Sequence, residues 1–147
     1  MEQIVISAYS NTLVPTRAHE TDAWFDICAR DNYVIPPHWL LKIPVGVKVA
    51  MPNGVVCLVV PRSSLFSKKW LLLTNSVWIV DAWYRGEIMM SLYNVSDREA
   101  VIEYWERIWQ LIFTNYTTDI TLSSKFESFE EEYPSDRWTG WFGSTGK

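Results

Sequence analysis

Three features of the 147-residue sequence predict an all-β domain. Its apolar residues gather in short runs rich in Val and Ile, tight-turn signals separate those runs, and no stretch carries a convincing helical period. The length suits one domain with a real core. Residues 3–8 alternate and read as the first strand; 33–35, 40–51 and 55–60 follow as β-branched runs. Pro36-Pro37 and Pro52-Asn53-Gly54 separate them, the second being a strong turn signal. Pro61-Arg62-Ser63-Ser64-Leu65 reads as a short turn, after which 71–74, 77–80, 87–93, 101–104 and 107–113 resume the strand pattern. Residues 117–126 are a further candidate strand and close a β domain at 1–126. An acidic segment broken by Pro134 reads as a mobile connector over 127–136, and the polar, Gly-containing residues 137–147 read as a tail that is disordered unless it closes over a ligand.

Composition narrows the function classes. The net charge of −4 argues against a polynucleotide partner, and much of the acid lies in the connector, which leaves a nearly neutral body with a few placed arginines. That balance suits a small anionic ligand. Charges interrupt every apolar stretch before it reaches the length of a membrane span, and MEQIVISAYS lacks the basic and apolar regions of a secretion signal, so a cytoplasmic location is expected. Cys28 and Cys57 sit in apolar runs and are expected as buried free thiols.

The chemistry is concentrated in residues 61–88. Arg62 supplies a fixed cation beside the Ser63 and Ser64 hydroxyls, a composition suited to phosphate oxygens. Asn75, Asp81 and Tyr84 then place an amide, a carboxylate and a phenol in one hairpin-sized unit that can read a base, activate a water and cover a sugar. Singly each half is ordinary. Together, in this order, they closely resemble the second and third motifs of the trimeric dUTPases. Residues 22–29, with Asp26, resemble the first motif; RIWQLIF, with Arg107 and Gln110, the fourth; and the tail, with Arg137, Phe142, Ser144 and Thr145, the fifth. The resemblance covers roughly residues 14–146.

The resemblance implies a jelly-roll-like β-sandwich with a flexible carboxyl-terminal arm, assembled as a homotrimer whose active sites are each built from three subunits. It implies Mg²⁺-assisted hydrolysis of dUTP to dUMP and pyrophosphate, which limits uracil in DNA and supplies the thymidylate precursor. Asp81 matches the carboxylate that orients and deprotonates the attacking water. Asp26 matches the one that holds the water shell of magnesium on the triphosphate, with Gln110 near the phosphates or those waters. Arg62, Arg137, Ser63, Ser64, Ser144 and Thr145 match phosphate-binding positions, Asn75 a uracil contact, Tyr84 the packing on deoxyribose and Phe142 the stacking on the base. Two alternatives stay open: a binding or regulatory module on the same fold with impaired catalysis, and a dCTP deaminase relative.

One departure runs through the motifs. The chain has nine Trp and only six Gly. Trp24, Trp78, Trp83, Trp105, Trp109, Trp138 and Trp141 fall in or beside motifs where the family has Gly or, less often, another small residue, and Trp39 and Trp70 occupy turn-like places that suit Gly. The pattern reads as UGA codons for glycine translated as tryptophan. The other reading is a genuine nine-tryptophan chain with a crowded active site.

Overall fold

The computed structural model of the protein describes residues 3–124 and 126–134. Arg137, Phe142, Ser144, Thr145, Trp138 and Trp141, with the arm expected at 137–147, lie outside the described residues. The chain divides after Tyr116 into two units, and every strand among the described residues belongs to the first. In chain order these are β1 (Val5–Ala8), β2 (Phe25–Cys28), β3 (Tyr33–Ile35), β4 (Leu40–Pro44), β5 (Val47–Ala50), β6 (Val55–Pro61), β7 (Leu71–Leu73), β8 (Trp78–Val80), β9 (Met89–Asn94), β10 (Ala100–Ile102) and β11 (Arg107–Asn115). They pair antiparallel throughout, as a four-stranded sheet β2-β11-β6-β8, a three-stranded sheet β4-β9-β7, and the ribbons β1-β5 and β3-β10.

The alternation in the sequence is what closes the core. Cys57 and Val59 of β6, Met90 and Leu92 of β9, and Ala100 and Ile102 of β10 turn inward at every second position. One apolar cluster contains these with Ile27, Ile43, Val47, Leu65, Leu71, Val80, Ile108 and Leu111. The predicted turn before β6 is present: Val55 N–H donates to Pro52 C=O across Gly54, whose φ of 84° an L side chain rarely adopts. The ends of β9 and β3 are tied by Asn94, which is wholly buried. Its Nδ2 donates to the carbonyls of Ile35, Pro36 and Arg98, and its Oδ1 accepts from the N–H and hydroxyl of Ser96.

Three expectations change. The run 40–51 is two strands, because Gly46, at φ 72°, breaks it between β4 and β5. The segment expected as a short turn after Pro61 is a helix, α1 (Ser63–Lys69), which buries Leu65 and ends at Trp70 in the left-handed region. Residues 117–124 and 126 contain no strand, since they pair with no neighbouring backbone as a ladder does. The acidic segment contains a single helical turn, α2 (Phe129–Glu132), where Ser128 receives the Glu132 N–H at its carbonyl.

Candidate active site

The four-stranded sheet assembles a polar cluster from three distant segments. Asp26 on β2 stands opposite Gln110 on β11, and Cys28 opposite Arg107. Arg107 and Gln110 are three positions apart, so a regular strand would point them to opposite faces. A register shift between Arg107 and Trp109 inserts one extra residue, which returns both side chains to the face of Asp26. The same shift lets consecutive Ile108 and Trp109 both be buried. Across β6, Arg62 N–H donates to the Ile108 carbonyl, which fixes the root of the arginine at the bulge.

Asp26 is the centre of this cluster. Its side chain is 5% exposed. Gln110 Nε2 donates to Oδ1 at 3.2 Å, while Arg62 Nη1 and Arg107 Nη1 stand 3.5 and 3.7 Å from Oδ2. The Asp26 backbone is held from the other side by a two-way bridge to Thr16. A buried carboxylate needs such partners. The arrangement leaves two guanidinium groups for one carboxylate, a local surplus of positive charge able to receive phosphate oxygens. Among the described residues no three His, Cys, Asp or Glu side chains gather as a metal cage. One carboxylate beside an amide fits a hydrated magnesium ion, which keeps most of its own waters.

Cys28, next to the cluster, is half-buried rather than buried as expected, while Cys57 is enclosed; both are free. Burial pushes the Cys28 thiol up, opposed by Arg107 and Arg62 and reinforced by Asp26. Burial alone pushes Cys57 up to about 12.

The second group of candidates lies on β8 and the turn after it. Tyr84 N–H donates to the Asp81 carbonyl, closing a four-residue turn that leaves Asp81 exposed. The Tyr84 ring lies 6.3 Å from Trp78 and 6.5 Å from Trp83. Asn75 is in the loop between β7 and β8 and lines a cleft of about 320 Å³ with Lys42, Thr74, Trp78, Met89 and Ser91. The sequence reading missed Lys42, Met89 and Ser91 because they stand on strands remote in sequence, and Thr74 because nothing marks it beside Asn75. The register of β6 separates the two groups. Val80 pairs with Cys57, whereas Arg62 lies five positions further along, roughly 17 Å at about 3.3 Å per residue, and Asp81 lies one residue beyond Val80 on the far side. Ser63 and Ser64 open α1 on the Arg62 side. One copy of the chain brings Asp26, Arg62, Arg107 and Gln110 together and does not bring Asp81 to them.

The described tryptophans divide by backbone. Trp70 (φ 56°) and Trp105 (φ 67°) occupy the left-handed region, Trp70 at the end of α1 and Trp105 third in the turn Glu103–Glu106. Near Trp39 the positive φ belongs to His38 instead, at 54°. Trp83 is 77% exposed, and Trp109 is fully buried with its indole N–H unpartnered.

Comparison with known proteins identifies the family. A family model described as dUTPase matches residues 10–146. The deoxyuridine 5'-triphosphate nucleotidohydrolase of Rhodococcus erythropolis is 36% identical over 134 residues, 90% of this chain and 79% of that protein. That of Dictyoglomus turgidum is 32% identical over 137 residues, 90% of each. Among solved structures, the dUTPase of Streptococcus mutans has a TM-score of 0.73 at 28% identity, covering 79% of this chain and 98% of its own. The dUTPase of Staphylococcus bacteriophage 80alpha with dUpNHpp has a TM-score of 0.80 at 26% identity over the whole of both chains.

Proposed function

Because the chain belongs to the dUTPase family, we propose that it hydrolyses dUTP to dUMP and pyrophosphate, in the cytoplasm, as a homotrimer with shared active sites. The observation that carries this reading is the gathering of Arg62, Arg107 and Gln110 around Asp26, side chains up to 84 positions apart in sequence. That cluster supplies the phosphate end of a site, and the turn at Asp81–Tyr84 supplies its water and sugar end.

In this reading Asp81 takes a proton from a water as its oxygen attacks the α-phosphorus. The bond from that phosphorus to the bridging oxygen of the β-phosphate breaks, and the electron pair leaves with pyrophosphate. Arg62 meets the charge that develops there, with Ser63 and Ser64 as hydroxyl donors. Asn75 reads the uracil edge from its cleft, and the Tyr84 ring covers the deoxyribose, closing off the space a 2′-hydroxyl requires. Asp26 and Gln110 would hold the waters of a magnesium ion, which when bound neutralises triphosphate charge. The arm at 137–147 would close from another copy, with Arg137, Ser144 and Thr145 on the phosphates and Phe142 on the base. Removal of dUTP in this way limits uracil in DNA and yields the precursor of thymidylate.

Pyrophosphate release from dUTP with magnesium tests the reading. Asp81→Asn is expected to bind nucleotide as the parent does and to lose roughly two to four orders of magnitude in turnover, the usual weight of a positioned general base. Equal turnover would remove Asp81 from its role.

A further inference from the structure

Tyr84 is held by its own chain in a way that leaves little freedom to its ring. Its hydroxyl donates to the backbone carbonyl of Glu87 at 2.9 Å. The hydroxyl end of the ring lies against Gly86: a Cβ there would stand 2.5 Å from the Tyr84 hydroxyl oxygen and 2.7 Å from Cζ, closer than real Cβ contacts. A Cβ at position 86 would have to push the Tyr84 ring aside, an effect of this approach and not of the Gly86 torsion.

The carbonyl that holds Tyr84 is itself anchored in the body of the domain. Glu87 Oε1 accepts the Gly46 N–H at 2.8 Å, and Arg30 Nη1 donates to both carboxylate oxygens at 2.9 and 3.0 Å. Gly46 adopts a positive φ of 72°, and its own carbonyl accepts from Tyr9 N–H. The Arg30 guanidinium lies 4.0 Å over the Tyr9 ring, which fixes its plane. The next residue, Ile88, is fully buried and exchanges backbone bonds with Val45 and Val47. Glu87 is thereby fixed through its side chain on one side and through its neighbour's backbone on the other. Arg85 completes the turn by donating to the carbonyls of Ala82 and Tyr84.

We propose that Glu87 is a positioning residue which, through Arg30, Gly46 and Gly86, sets the pose of the Tyr84 ring and so governs discrimination between deoxyribose and ribose. The inference rests on the sugar-covering role of Tyr84 given above. The Tyr84 hydroxyl is engaged with the chain, so the ring, not the phenol oxygen, faces the nucleotide. A ring free to rock by about 1 Å would open the space that a 2′-hydroxyl needs, and misplacements of that size are costly in oriented reactions.

The test compares kcat/KM for dUTP and for UTP, with thermal stability recorded alongside. Glu87→Ala removes the anchor, Tyr84→Phe removes only the tether to its carbonyl, and Gly86→Ala displaces the ring while leaving the Arg30–Glu87 pair intact. Each is expected to lower the dUTP:UTP ratio by about tenfold or more. Glu87→Ala with Tyr84→Phe should fall no further than the worse single variant, because both cut the same chain of contacts. Equal losses on both substrates, with only a lower Tm, would overturn the proposal by making the anchor merely structural. Gly86→Ala keeps the test decisive if Glu87→Ala fails to fold. A parent chain that hydrolyses dUTP and UTP alike would instead sink the sugar role of Tyr84 and this inference with it.

Discussion

Trp70 and Trp105 hold backbone torsions that cost an L residue about 1–2 kcal/mol and glycine almost nothing. Each recovers part of that cost: Trp70 through an edge contact with Phe66, ring centroids 5.3 Å apart, and Trp105 through its indole N–H on the Thr12 carbonyl at 2.8 Å. Trp70→Gly and Trp105→Gly are therefore expected to raise stability by about 0.5–1 kcal/mol each in urea unfolding, once the extra chain entropy of glycine is counted. Trp109 is the opposite case, since deleting an enclosed indole leaves a cavity. Trp109→Gly is expected to cost about 3–5 kcal/mol, less what its unpartnered N–H returns. The reading of the tryptophans as glycine codons thus finds backbone support at positions 70 and 105 and meets a packed core side chain at 109. Thiol chemistry gives a second residue-scale expectation. Cys57 ionises near 9.0 when unconstrained and at about 12 when folded, so its contribution to stability is intact below pH 9 and is lost as pH rises toward 12. At pH 8, iodoacetamide should label half-buried Cys28 first and Cys57 only in denaturant; equal labelling of the native chain would contradict the burial.

At the scale of elements, Asn94 decides whether β3, β9 and the approach to β10 stay joined. Asn94→Ala leaves three carbonyls and the Ser96 N–H without their partner, and at about 1–3 kcal/mol for each group that stays buried the loss should exceed 2 kcal/mol. An unfolding midpoint within error of the parent would show that water replaces the amide. None of this hub was legible in advance, because an Asn ending a strand run looks like any turn residue. The strands themselves were legible where β-branched residues alternate and where Pro52-Asn53-Gly54 forces a turn. The helix α1 was not: SSLFSKK buries only Leu65 and is too short for its period to show. The bulge on β11 was equally silent, since Arg107 and Gln110 read as opposite-facing until the extra residue is seen. It is nevertheless the feature that makes one cluster of them. Motif spacing therefore supplied candidate side chains but not how three of them reach Asp26.

For the whole molecule, the central matter is the stretch of β6, more than about 17 Å long, that separates Arg62 from Asp81. In the homotrimer proposed above each site takes Arg62 from one copy and Asp81 from another, so the proposed reaction needs a second copy to complete each site. Sharing of this kind has a signature that fold and stability cannot mimic. Arg62→Ala and Asp81→Asn chains, each inactive alone, can be co-expressed and purified as mixed assemblies. A site that takes Arg62 from one copy and Asp81 from another then regains both wherever unlike copies meet in the right order. With random mixing of equal amounts, about a quarter of the parent activity per site is expected. Mixed assemblies as inactive as either variant alone, with both chains shown to be present in them, would contradict the account and return the whole reaction to a single copy.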